Sequence, residues 1–194
     1  MKSLSNKEIL ITGTVAFDDI ETPTGSSGKI IGGAGTYIAL AASIFSKKIS
    51  LVSVIGDDFL EEDIKMLQSK NINTEMIERI AGEKSFYWKG KYHSNFKTRD
   101  TLITELNALE KFNPIVNQSS KKAEIIVLGN LHPSVQLSVL DQLDNDYNFV
   151  ILDTMNFWMD TALDELNKAI NKTDLIVINA VSYTHLTLPT KRIV

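Results

Sequence analysis

The chain contains no cysteine and only 3 histidines. The first absence excludes disulfides and thiolate metal centres and fits a cytoplasmic protein, and the second argues against a histidine-based metal site. No metal ligand is therefore assigned. No apolar run reaches the roughly 18 residues that a membrane span needs, and no apolar leader core follows the start, so no membrane partner is expected. Excess positive charge is also missing. The net charge is −4, with the signs interspersed, which leaves no basic face for nucleic acid. What remains is an ordinary globular composition, 43% hydrophobic and 23% charged over 194 residues.

Against this background one stretch stands out, residues 28–45, GKIIGGAGTYIALAASIF. A glycine-rich loop runs into an alanine-rich amphipathic helix. Gly32, Gly33 and Gly35 remove side chains where a ligand or another backbone comes close. The amide groups and positive dipole end of the following helix face that loop and can hold a hydroxyl-rich or anionic ligand. A tight turn that serves helix–sheet packing explains the same residues, so the surroundings must decide.

Before this stretch, residues 8–17 (EILITGTVAF) form an apolar, β-rich run predicted to be a buried strand, and 20–29, with Pro23, Gly25 and Gly28, a loop. After it come a strand at 49–55 and a helix at about 60–70, with Asp58 as its N-cap. Residues 81–105 gather Phe86, Tyr87, Trp88 and Tyr92 among lysines and arginine, a pattern of short antiparallel strands forming a flap outside the main sheet. From 122 onward strand and helix alternate: strands at 123–131, 149–154 and 174–179, helices at 134–143 and 160–171. The strands are continuous apolar runs, as in a parallel sheet covered on both faces. Asp18, Asp57, Asn130, His132, Asp153, Asn156 and Asn179 fall just past strand C-ends, the edge where open α/β sheets bind ligands. Each alone is explained by turn capping, but together they point to a site.

The last residues, 181–194 (VSYTHLTLPTKRIV), break the alternation with β-branched residues, Pro189 and no amphipathic period. They resemble the conceptual translation of a sequencing-library adapter and are set aside as a non-native tail.

In order and spacing, GTVAFDD (13–19), IGGAGTYIALAAS (31–43), SLVSVIGDDF (50–59), LGNLHP (128–133), LDTMNFW (152–158) and DLIVIN (174–179) resemble the ribokinase-like (PfkB) family of carbohydrate and nucleoside kinases. The resemblance implies a three-layer α/β core with a mostly parallel sheet over 1–180, into which a small β lid at about 81–107 is inserted. It also implies ATP-dependent, magnesium-assisted phosphorylation of a sugar or nucleoside hydroxyl, and it leaves open a homodimer made through the lid. Carried over by position, Asp18 binds substrate hydroxyls, and Gly32 and Gly33 bring backbone against the substrate. Asn130, with His132 beside it, borders the substrate. Asn156 borders the phosphate region, and Asn179 takes the first place of an Asn-x-x-Glu motif serving phosphate and magnesium.

The chain departs from that pattern in several places. Ala34 and Tyr37 stand where the family often has Lys and Asn, so a different sugar or a nucleoside is expected. Tyr37 either stacks on a substrate ring or packs under the lid. Ser182 replaces the motif's Glu, and the glycine-rich anion hole with its aspartate base does not occur. The expectation is an N-terminal, truncated part of a kinase, inactive as it stands because it lacks the base. A non-catalytic sugar- or nucleoside-binding module and an incomplete fragment without independent function are the alternatives.

Overall fold

The computed structural model describes residues 6–178 apart from 97 and 145. Asn179 and the 181–194 tail lie outside the described residues. The strands are β1 (Glu8–Thr12), β2 (Ala16–Thr22), β3 (Gly25–Gly32), β4 (Lys48–Ile55), β5 (Ile72–Asn73), β6 (Ile77–Arg79), β7 (Phe86–Tyr92), β8 (Arg99–Glu105), β9 (Ile125–Leu128), β10 (Phe149–Asp153) and β11 (Leu175–Val177). The helices are α1 (Ala34–Ala42), α2 (Glu61–Ser69), α3 (Pro133–Leu140), α4 (Asn156–Thr161) and α5 (Leu163–Asn171).

The central sheet runs β11-β10-β9-β1-β4-β5, with β6 also on β4, and every described pairing in it is parallel. Alternation along β1 and β4 feeds two cores. Leu10, Val52 and Val54 join Val139, Leu140 and Leu166 of α3 and α5 on one face. Ile9, Ile11, Ile49 and Leu51 join Ala39 of α1 and Leu67 of α2 on the other. Helices therefore cover both faces, which explains why these strands carry unbroken apolar runs. This is the expected three-layer α/β core. Among the described residues no helix is long and apolar enough to cross a membrane.

A second sheet, ordered β3-β2-β7-β8, stands apart from the first. The 86–105 hairpin expected as a flap is half of it. The other half is a hairpin, β2–β3, made from residues read in the sequence as the end of the first strand and a loop. The chain leaves the core sheet after Thr12 because the next three residues turn. The buried Ser53 hydroxyl donates to the Gly13 carbonyl (2.7 Å) and accepts from the Val15 amide (3.0 Å). The glycines and serines of 20–29 shape a hairpin with an irregularity between Asp19 and Glu21, rather than an open loop.

Two smaller differences have local causes. Residues expected as one helix at 160–171 divide at Ala162, whose backbone (φ −145, ψ 41) is non-helical. Asp58 does not cap α2, since Leu60 is the N-cap and makes no side-chain cap bond. Asp58 instead joins core to lid, accepting from the Ser85 amide (2.7 Å) and pairing with Lys29 (3.0 Å).

Candidate functional site

The start of α1 is built by close backbone approach. A Cβ on Gly35 would lie 2.7 Å from the Gly13 carbonyl oxygen, so the 12–15 turn can press against the helix only where both residues are bare. Thr14 then takes up the first helical amides. Its hydroxyl accepts from Ala34 N–H (2.9 Å), and its carbonyl accepts from Gly35 (2.9 Å) and Thr36 (3.3 Å). Of the two readings the sequence left open, packing therefore accounts for these amides, which are engaged within the chain.

The neighbouring glycines serve a carboxylate. Asp18 lies on β2, paired with Ile30 of β3 and with Trp88 of β7. A Cβ on Gly32 would collide with the Asp18 carboxylate, and Gly33, at φ 94, turns its N–H to donate to that carboxylate. Burial pushes the Asp18 carboxyl above its ordinary range, opposed by the Gly33 hydrogen bond and the charge of Arg99. Tyr37 stands half-exposed one turn into α1, its hydroxyl 3.4 Å from the Ile31 carbonyl. On the Asp18 face of the lid the Trp88 indole lies across Gly90, where any Cβ would strike the ring. Its N–H donates to Thr101 (3.3 Å), and the Arg99 guanidinium carbon is 5.1 Å from its centroid.

A second corner forms past β9 and β10. The Asn130 amide N–H donates to the Asp153 carboxylate, as does that of Thr154. Burial nevertheless raises the Asp153 pKa. The Asn130 side chain faces α4, accepting from Trp158 Nε1 (2.9 Å) and donating to the Met155 sulfur (3.2 Å). His132 caps α3 through Nδ1, which accepts from the Ser134 amide (3.2 Å), and its ring meets Trp158 edge-on at 5.1 Å. Asn156 opens α4 at the same edge.

Asp18, Gly32, Gly33 and Tyr37 thus share one corner, and Asn130, His132 and Asn156 the other. The corners adjoin at Gly129, where a Cβ would lie 3.3 Å from Gly13 Cα and 3.2 Å from Ile38 of α1. Two residues carry no assigned role in the sequence-derived set. Asp153 is among the seven strand-end residues that together point to a site, but the sequence gives it no particular task. Trp88 could not be placed, because its pairing with Asp18 depends on a strand register between distant segments.

The fold recurs in known proteins. No family model matches the chain. Over 137 residues it is 25% identical to a cytidine kinase of Thermococcus kodakarensis, a match covering 70% of this chain and 48% of that protein. The nucleoside kinase of Burkholderia thailandensis in complex with ADP-inosine superposes with a TM-score of 0.74 at 14% identity, over 91% of this chain and 61% of that one. The nucleoside kinase of Methanocaldococcus jannaschii, an archaeal member of the ribokinase family, gives 0.70 at 18% identity, over 93% and 63%. The chain has the ribokinase-like fold. It spans about half the length (48%) of the curated relative it matches.

Proposed function

We propose that this chain forms the acceptor-binding part of an ATP-dependent kinase that phosphorylates a hydroxyl of a nucleoside, with a sugar as the second choice. The observation that carries this reading is the lid face on which a carboxylate, Asp18, and an indole, Trp88, are cross-strand partners. A carboxylate accepts hydrogen bonds from a sugar diol, and an indole beside it offers a surface for a planar base. The kinases named among the relatives are consistent with this acceptor class. ATP would supply the phosphoryl group and magnesium would neutralise its charge, with Asn156 and Asn179 on the phosphate side. Gly-x-Gly-Asp occurs nowhere in the 194 residues, which favours binding without turnover by this chain. The exposed β8 edge, with Leu102 and Ile103, is the surface proposed for a lid homodimer, and a cytoplasmic setting follows from the same reading.

Calorimetric titration of the 194-residue chain with inosine, cytidine and ribose tests this. Saturable nucleoside binding is expected, weakened at least about tenfold by Asp18→Ala, as for loss of hydrogen bonds to a charged group. Trp88→Leu should weaken nucleosides and leave ribose unchanged. Binding of none of the three ligands would overturn the reading, and ATP-dependent product formation would overturn the lack of turnover.

A further inference from the structure

Gln136 is fully buried in α3, flanked by Val135 and Leu137. Its Nε2 donates to the carbonyls of Gly129 (2.9 Å) and Asp153 (3.0 Å), with Leu128 O further off at 3.5 Å. The last described β9–β10 pair is Leu128 with Leu152, so the two close acceptors lie just past the ladder, where parallel strands are free to splay. The amide acts as an added rung between the strand ends. Its own Oε1 is buried and has no partner among the described residues. An unpaired buried acceptor is costly, so packing alone would favour Leu or Met at this position. The two carbonyls it grips immediately precede Asn130 and Thr154, whose N–H groups hold the Asp153 carboxylate.

We propose that Gln136 is a positioning residue that fixes the separation of the β9 and β10 ends, keeping Asn130 and Asp153 in contact and that side of the crevice preformed. The proposal rests on the reading that this edge borders the bound ligand, although the contact itself is measurable without ligand.

Amide hydrogen exchange by NMR on the 194-residue chain and on Gln136→Met tests it. The Asn130 amide is expected to lose at least about fivefold in protection, the scale of one hydrogen bond, while Leu10 and Val52 in the neighbouring strands keep theirs. Unchanged Asn130 protection, or an equal loss at all three amides, would overturn the proposal, the latter revealing only a contribution to global stability. If the Met variant does not fold, Gln136→Asn retains the amide but is one methylene too short to bridge both carbonyls, and the same selective loss is expected. Inosine titration of the same samples separates the two readings. Selective Asn130 exchange with no inosine binding by the parent chain supports the rung and overturns the functional assignment. A selective loss accompanied by weaker inosine binding supports both.

Discussion

The two sheets of this protein are held by different forces. In the core sheet β1 and β4 are buried almost throughout, and their side chains alternate between two apolar clusters. In the lid, all of β8 and most of β3 are exposed, and beyond Phe17, Ile31 and Tyr87, which pack on one apolar cluster, polar contacts add to the cohesion. Lys89 reaches both Asp19 (3.4 Å) and Glu21 (2.9 Å), and the Tyr87 hydroxyl donates to Asp19 (3.3 Å). Burial of apolar area is the larger stabilising contribution, while exposed ion pairs each give little. The lid is therefore the part expected to open locally while the core stays closed. The candidate site draws on both: Asp18 and Trp88 stand on the weakly held sheet, Asn130 and Asp153 on the strongly held one.

The sharpest way to break this contrast is to truncate one apolar side chain in each sheet. Leu128, fully buried between β1 and β10, should cost about 2–5 kcal/mol as Leu128→Ala. Ile103, 41% exposed on β8, should cost under about 0.5 kcal/mol as Ile103→Ala. Urea unfolding of the two variants checks the difference. Equal losses would mean that the lid shares the cooperative core.

The same contrast explains what could be read from the chain. Core strands such as 49–55 were legible because burial on both faces writes an unbroken apolar run into the sequence. The β2–β3 hairpin was not legible, since its exposed strands carry no such constraint and its glycines and Pro23 signal turns. The glycine stretch stands out in the sequence, but its division of labour depends on contacts between distant segments. Gly35 meets the turn at Gly13, whereas Gly32 makes room for Asp18 and Gly33 bonds to it. Gln136 gave no signal at all, because a lone polar residue in a helix does not reveal which strands it will bridge.

A smaller effect is expected at the seam between the sheets. Burial alone would raise the Asp58 pKa, but hydrogen bonds from Ser85 and Lys29 outweigh it and hold the carboxyl below its ordinary value. The stabilisation is therefore present above the ordinary pKa of 3.8 and is lost as pH falls through the lowered folded value. Asp58→Ala should cost about 1 kcal/mol near neutral pH. The loss should appear as faster amide exchange in β7, beside Ser85, with the core amides of β1 unchanged. Slower exchange in β7, or an equal change in β1, would contradict a seam that holds the lid alone.

The smallest effect carries the opposite sign. Burial raises the Asp18 pKa despite the Gly33 amide and the charge of Arg99, so the folded chain carries the ionised carboxylate at a disadvantage. That disadvantage is complete above the raised folded pKa and vanishes as pH falls below the ordinary 3.8. Asp18→Asn keeps an acceptor for Gly33 and removes the charge, so it should melt at or slightly above the parent temperature at pH 7, with the gap closing on acidification. Its nucleoside binding should nevertheless fall, because the amide is a weaker acceptor for hydroxyl donors. Melting curves at pH 7 and near pH 4, paired with inosine titration, check both signs. If Asp18→Asn instead lowers the melting temperature at pH 7, the carboxylate is a structural anchor of the β2–β3 hairpin, and its burial is no sign of a binding role.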